Sequence, residues 1–96
     1  MKRHEALTLL RKIKPIVMQQ FGITDIALFG STARDEANDS SDVDILVSFD
    51  GPATSARYFG VQFLLEDSLG CTVDLVTDKA LRPELRPFIE KEAIHV

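Results

Sequence analysis

Between Asp42 and Phe49 the chain alternates more regularly than anywhere else. Val43, Ile45, Val47 and Phe49 fall on one side of an extended backbone, and Asp42, Asp44, Leu46 and Ser48 on the other. A period of two does not suit a helix. It predicts a strand with one face in a core, ended by Asp50-Gly51-Pro52. Two residues apart on the polar side, Asp42 and Asp44 present their carboxylates to the same face of the sheet, roughly 6.5–7 Å apart along the backbone.

The other elements are arranged around that strand. Residues 5–21 predict an amphipathic helix with Ala6, Leu9, Leu10, Ile13, Ile16, Val17 and Phe21 at steps of three and four. Pro15 is expected to kink or break it near Ile13 or Lys14, and Gly22 to stop it. Asp25 to Phe29 is a short apolar run bounded by glycines, read as a buried strand. Gly30 to Arg34 starts a turn and a short helical piece, and Asp35 to Ser41 reads as loop. Residues 55–69 predict a helix with Phe59, Phe63 and Leu64 on its inner face. Cys71 to Val76 predicts a strand with Cys71, Val73 and Leu75 on one face and Thr72, Asp74 and Val76 on the other. A last helix spans roughly 83–92, with Pro83 in its first turn, and residues 93–96 add a short edge strand. The order implies an α/β (α+β) fold: one small mixed sheet with helices packed on one face and a site on the other.

At 96 residues the chain has room for one domain, residues 1–96. Its 11 basic and 15 acidic residues give a net charge of −4, which argues against direct binding to nucleic acid by bulk electrostatics. The single cysteine, Cys71, forms no internal disulfide, which fits a reducing, cytoplasmic setting. No apolar run approaches the ~20 residues of a membrane span, and Arg11, Lys12 and Lys14 interrupt the N-terminal segment too soon for a signal peptide.

Chemistry concentrates at two places. If Val73 and Leu75 pack with Val43, Ile45 and Val47 beneath the helices, then Asp42, Asp44 and Asp74 share the uncovered face. Three clustered carboxylates repel one another, and a divalent cation relieves that repulsion. Hard oxygen ligands suit magnesium or manganese. The second place is Gly30-Ser31, directly after a strand. Glycine permits a positive φ and close backbone approach, and backbone N–H groups beside the Ser31 hydroxyl suit a phosphate. Arg34, one turn on, is within reach of the same anion. Alone, each is ordinary turn or surface chemistry. His4 and His95 read as surface or structural residues without an evident partner, and Phe88 reads as core.

Together, Gly30-Ser31, ten intervening residues, Asp42-x-Asp44 and a later strand aspartate in Val73-Asp74-Leu75-Val76 resemble the nucleotidyltransferase superfamily related to DNA polymerase beta. The stretch FGSTARDEANDSSDVDILVSF is similar to its minimal nucleotidyltransferase branch, and the likeness covers nearly the whole chain. Many relatives have glycine after the arginine. This chain has Asp35, which puts an extra negative charge near the expected phosphate site. The resemblance implies transfer of a nucleoside monophosphate from a triphosphate, ATP, to an acceptor hydroxyl. Asp42 and Asp44 are then the ligands of two Mg2+ ions, with Mn2+ possible. Asp74 assists metal binding and deprotonation, and Gly30 and Ser31 hold the β- and γ-phosphates.

Minimal nucleotidyltransferases of this size resemble the antitoxins of type VII toxin–antitoxin modules. The implied partner is an all-helical HEPN toxin, adenylylated on a tyrosine hydroxyl. Two alternatives stay open: an antitoxin that neutralises its partner by docking alone, and a small-molecule nucleotidyltransferase. An intact set of three repelling carboxylates disfavours the first, and the absence of an acceptor-binding domain the second.

Overall fold

A computed structural model describes residues 1–96. The elements run α1 (Arg3–Phe21), β1 (Ile23–Phe29), α2 (Gly30–Ala33), β2 (Val43–Phe49), α3 (Ser55–Leu69), β3 (Val73–Thr77), a 3-10 turn (Asp78–Ala80), α4 (Arg86–Glu92) and β4 (Ile94–His95). The sheet order is β3-β2-β1-β4. β1 runs antiparallel to both β2 and β4, whereas β2 and β3 are parallel, with α3 as the crossover between them.

The period-two pattern of β2 sorts as expected. Val43, Ile45 and Val47 are buried in one core with Ile26 and Leu28 of β1 and Val73 and Leu75 of β3. α1 and α3 cover that face through Ala6, Leu10, Ile13 and Val17 and through Val61, Leu65 and Leu69. The opposite face is not left bare. Ala27, Phe29, Leu46 and Leu81 form a smaller apolar cluster there, against which Ile89 and Ala93 pack. The last helix therefore lies on the aspartate side of the sheet and covers its middle, leaving Asp42 and Asp74 exposed beyond it.

Several expectations are corrected. α1 runs unbroken through Pro15. Pro15 lies on the solvent side, where water can serve the carbonyl it leaves unpaired, while Ile13 and Val17 anchor the other side in the core. Ile16 faces outward. Phe59 and Phe63 are not the inner face of α3: they are 50% and 66% exposed and stack on each other, with ring centroids 6.4 Å apart. The cause is the seat of α3 on α1. Any side chain at Gly60 would collide with the Phe21 ring, so this close approach fixes the rotation of α3 with Val61 and Leu65 inward. Phe88 likewise is 73% exposed rather than core, because its neighbour Ile89 makes the contact with the sheet. Cys71 sits in the bend before β3 rather than on it, half-buried against the core. α4 starts at Arg86 with Pro87 in its first turn, and Pro83 belongs to the preceding turn. His95 does have a partner: its Nδ1 lies 2.9 Å from an Asp25 carboxylate oxygen on the neighbouring strand. No helix is long and apolar enough to cross a membrane.

Candidate active site at the open end of the sheet

Strand register brings the expected residues together. Phe29, the last residue of β1, is paired with Asp44, and Asp44 is paired in parallel with Asp74. Residues side by side in register point to the same face, so Asp44 stands between Phe29 and Asp74. Asp42 precedes β2 by one residue and is exposed, Asp44 is half-buried, and Asp74 is exposed.

Like charges at this spacing resist joint ionisation. The Asp44 carboxyl is pushed up from its ordinary 3.8 to about 6. Burial is the largest cause, followed by Asp74, with Asp42 and Glu92 adding to it. The carboxylates do not close into a preformed set of three or more metal ligands. An all-oxygen donor set whose central member resists ionisation beside like charges nevertheless suits a hard divalent cation, which would relieve both the burial and the charge penalty.

Directly after Phe29 the chain turns. Gly30 has φ +74°, and a Cβ there would run into the Asp44 carboxylate. Glycine is thus required twice, for the backbone angle and for the approach of β1 to Asp44. Ser31 is half-buried beside it. Thr32 is 1% exposed, and its hydroxyl has no hydrogen-bond partner. Arg34 is exposed, with its guanidinium 3.2 Å from Glu36 and 2.8 Å from Glu92. Asp35 adopts φ +61°, the left-handed conformation that glycine takes most readily, so this backbone also suits a glycine at the position. Its charge does not face the site. The Asp35 carboxylate accepts the Arg3 N–H at 3.1 Å, at the start of α1, and this hydrogen bond lowers its pKa.

The profile of the family described as "Nucleotidyltransferase domain" matches residues 10–96. The chain belongs to the nucleotidyltransferase domain family. Among its relatives, this nucleotidyltransferase is 39% identical over 93 residues to MJ0128 of Methanocaldococcus jannaschii, covering 96% of this chain and 95% of that one. It is 34% identical over 92 residues to the protein adenylyltransferase MntA of Thermococcus cleftensis, covering 96% and 93%. A solved minimal nucleotidyltransferase superposes with a TM-score of 0.82 at 35% identity, over 98% of this chain and 95% of the other. The fold also matches a chain in the complex of a tri-AMPylated Shewanella oneidensis HEPN toxin with an MNT antitoxin. There the TM-score is 0.66 at 21% identity, over 95% and 70% of the two chains.

Glu92 is the residue that sequence reasoning missed. Its Oε1 accepts the Gly30 N–H at 3.0 Å and its Oε2 pairs with Arg34. Nothing in its surroundings of Lys91 and Ala93 marks it. Only the docking of α4 and β4 onto β1 brings it to the site.

Proposed function

We propose that this nucleotidyltransferase, acting as one domain in the cytoplasm, moves AMP from ATP to a hydroxyl, a tyrosine hydroxyl on a HEPN-family toxin, and so serves as the antitoxin of a type VII module. The observation that carries this reading is the in-register pair Asp44 and Asp74 lying against the Gly30 turn. It supports the reading because a carboxylate pair then stands beside a glycine turn at one end of the sheet. The relative MntA, named for protein adenylyl transfer, and the MNT–HEPN complex with the same fold supply the acceptor class.

In the reaction, the acceptor oxygen bonds to the α-phosphorus, the bond from that phosphorus to the β-bridging oxygen breaks, and pyrophosphate leaves. Asp42, Asp44 and Asp74 are the residues that would hold magnesium, or manganese in its place. When bound, two such ions neutralise charge on the attacking and departing oxygens. Asp74 accepts the hydroxyl proton. Ser31 donates to the departing phosphates, where negative charge grows, so its hydrogen bond strengthens toward the transition state. Gly30 lets the backbone approach the same phosphates, and Arg34 balances their charge.

The test is label transfer from α-labelled ATP to a co-purified HEPN toxin in magnesium buffer. Wild type labels the toxin, and the double variant Asp42→Asn, Asp44→Asn folds but does not. A wild-type protein that silences the toxin without labelling it would instead make the protein a docking antitoxin.

A further inference from the structure

β4 pairs with β1 so that Leu28 lies opposite Ile94. Glu92 ends α4 just before β4, and Gly30 follows β1, so this pairing brings the two to the same end of the sheet. The Glu92 side chain spans the gap, with one oxygen on the Gly30 N–H at 3.0 Å and the other on the Arg34 guanidinium at 2.8 Å. Gly30 and Arg34 are the groups to which the proposed function assigns the departing phosphates. A carboxylate with one oxygen on a backbone N–H and the other on a guanidinium imitates one edge of a phosphate in both charge and geometry.

Resting on that reading of the site, we propose that Glu92 is an internal competitor for nucleoside triphosphate: its carboxylate fills the phosphate donors in the free protein and is displaced when the triphosphate binds. Side-chain rotation is enough, because the Glu92 side chain is 26% exposed and the backbone pairs of β4 need not break. Arg34 keeps one carboxylate contact meanwhile, with Glu36 at 3.2 Å. A lone phosphate gains only the two donors that it must win from Glu92. A triphosphate carrying a cation gains the aspartates as well, so the contact screens out small anions.

Calorimetric titration of magnesium-ATP into wild type, Glu92→Gln, Glu92→Asp and Glu90→Gln tests this. Glu90 lies on the same helix but pairs with Arg86 at 3.2 Å. If the donors are free about a tenth of the time in wild type, Glu92→Gln tightens binding about tenfold. Glu92→Asp keeps the charge but is a methylene too short to bridge both donors, and it shifts affinity the same way by less. Glu90→Gln stays within about twofold, as expected for a screened surface charge. Unchanged or weaker binding by Glu92→Gln, while wild type binds, overturns the competitor role and leaves the nucleotide site standing. Failure of wild type and every variant to bind removes the nucleotide reading and the competitor with it.

Discussion

Replacing Asp44 by Asn should make the metal-free protein more stable while abolishing transfer. In the folded state the Asp44 carboxyl titrates at about 6 instead of 3.8, so the fold prefers its neutral form. A raised folded pKa means that the stability is fully present below pH 3.8 and is lost as pH rises through 6. About two units would correspond to roughly 3 kcal/mol at neutral pH if the whole shift acted on folding. Asp44 is only half-buried, and solvent screening reduces this to about 1 kcal/mol. For a chain of this size, that is ~4–8 °C in melting temperature. Asn keeps the shape and removes the charge. Thermal melts with a chelator present, from pH 4 to pH 8, should therefore place Asp44→Asn above wild type at pH 7.5, with the gap closing toward pH 4. Magnesium should then raise the wild-type melting temperature and leave the variant almost unmoved. A variant that melts below wild type at pH 7.5, or a gap that ignores pH, would refute the repulsion argument.

Gly30→Ala must hold an L-residue at φ +74° against the Asp44 carboxylate, so urea unfolding should show a loss of at least about 2 kcal/mol. Ser31→Ala should lower the transfer rate on the order of 10–1000-fold with nearly unchanged melting; a near-wild-type rate returns Ser31 to the role of turn residue. Asp35→Gly should be less damaging than Asp35→Ala, because both lose the hydrogen bond to Arg3 but only glycine relaxes at φ +61°. Because the Asp35 pKa is lowered, its contribution is present above the ordinary carboxylate value and disappears as pH falls below it; the gap in melting temperature between wild type and each variant, at neutral and acid pH, checks this.

Local pattern alone was enough for β2: its alternation put Val43, Ile45 and Val47 inside and the aspartates outside, because side-chain direction in a strand depends only on parity. The spacing from Gly30-Ser31 to Asp42-x-Asp44 and on to Asp74 pointed to one site only through the family it resembles, and the pairing of Asp44 with Phe29 and Asp74 is what brings these residues side by side. Helix rotation was not legible in this way. Phe59 and Phe63 are as apolar as Val61 and Leu65, and only the seat of Gly60 on Phe21 decides which pair faces the sheet. Pro15 reads as a breaker until the tertiary fold puts it on the solvent side of a helix anchored by its neighbours. Asp35 reads as a stray charge near phosphate until the fold brings it to the first turn of α1, 32 residues away in sequence. Glu92 meets Gly30 across 62 residues. Such partners are chosen by strand pairing and helix docking, which depend on burial summed over the whole chain and leave no mark on the few residues around either partner.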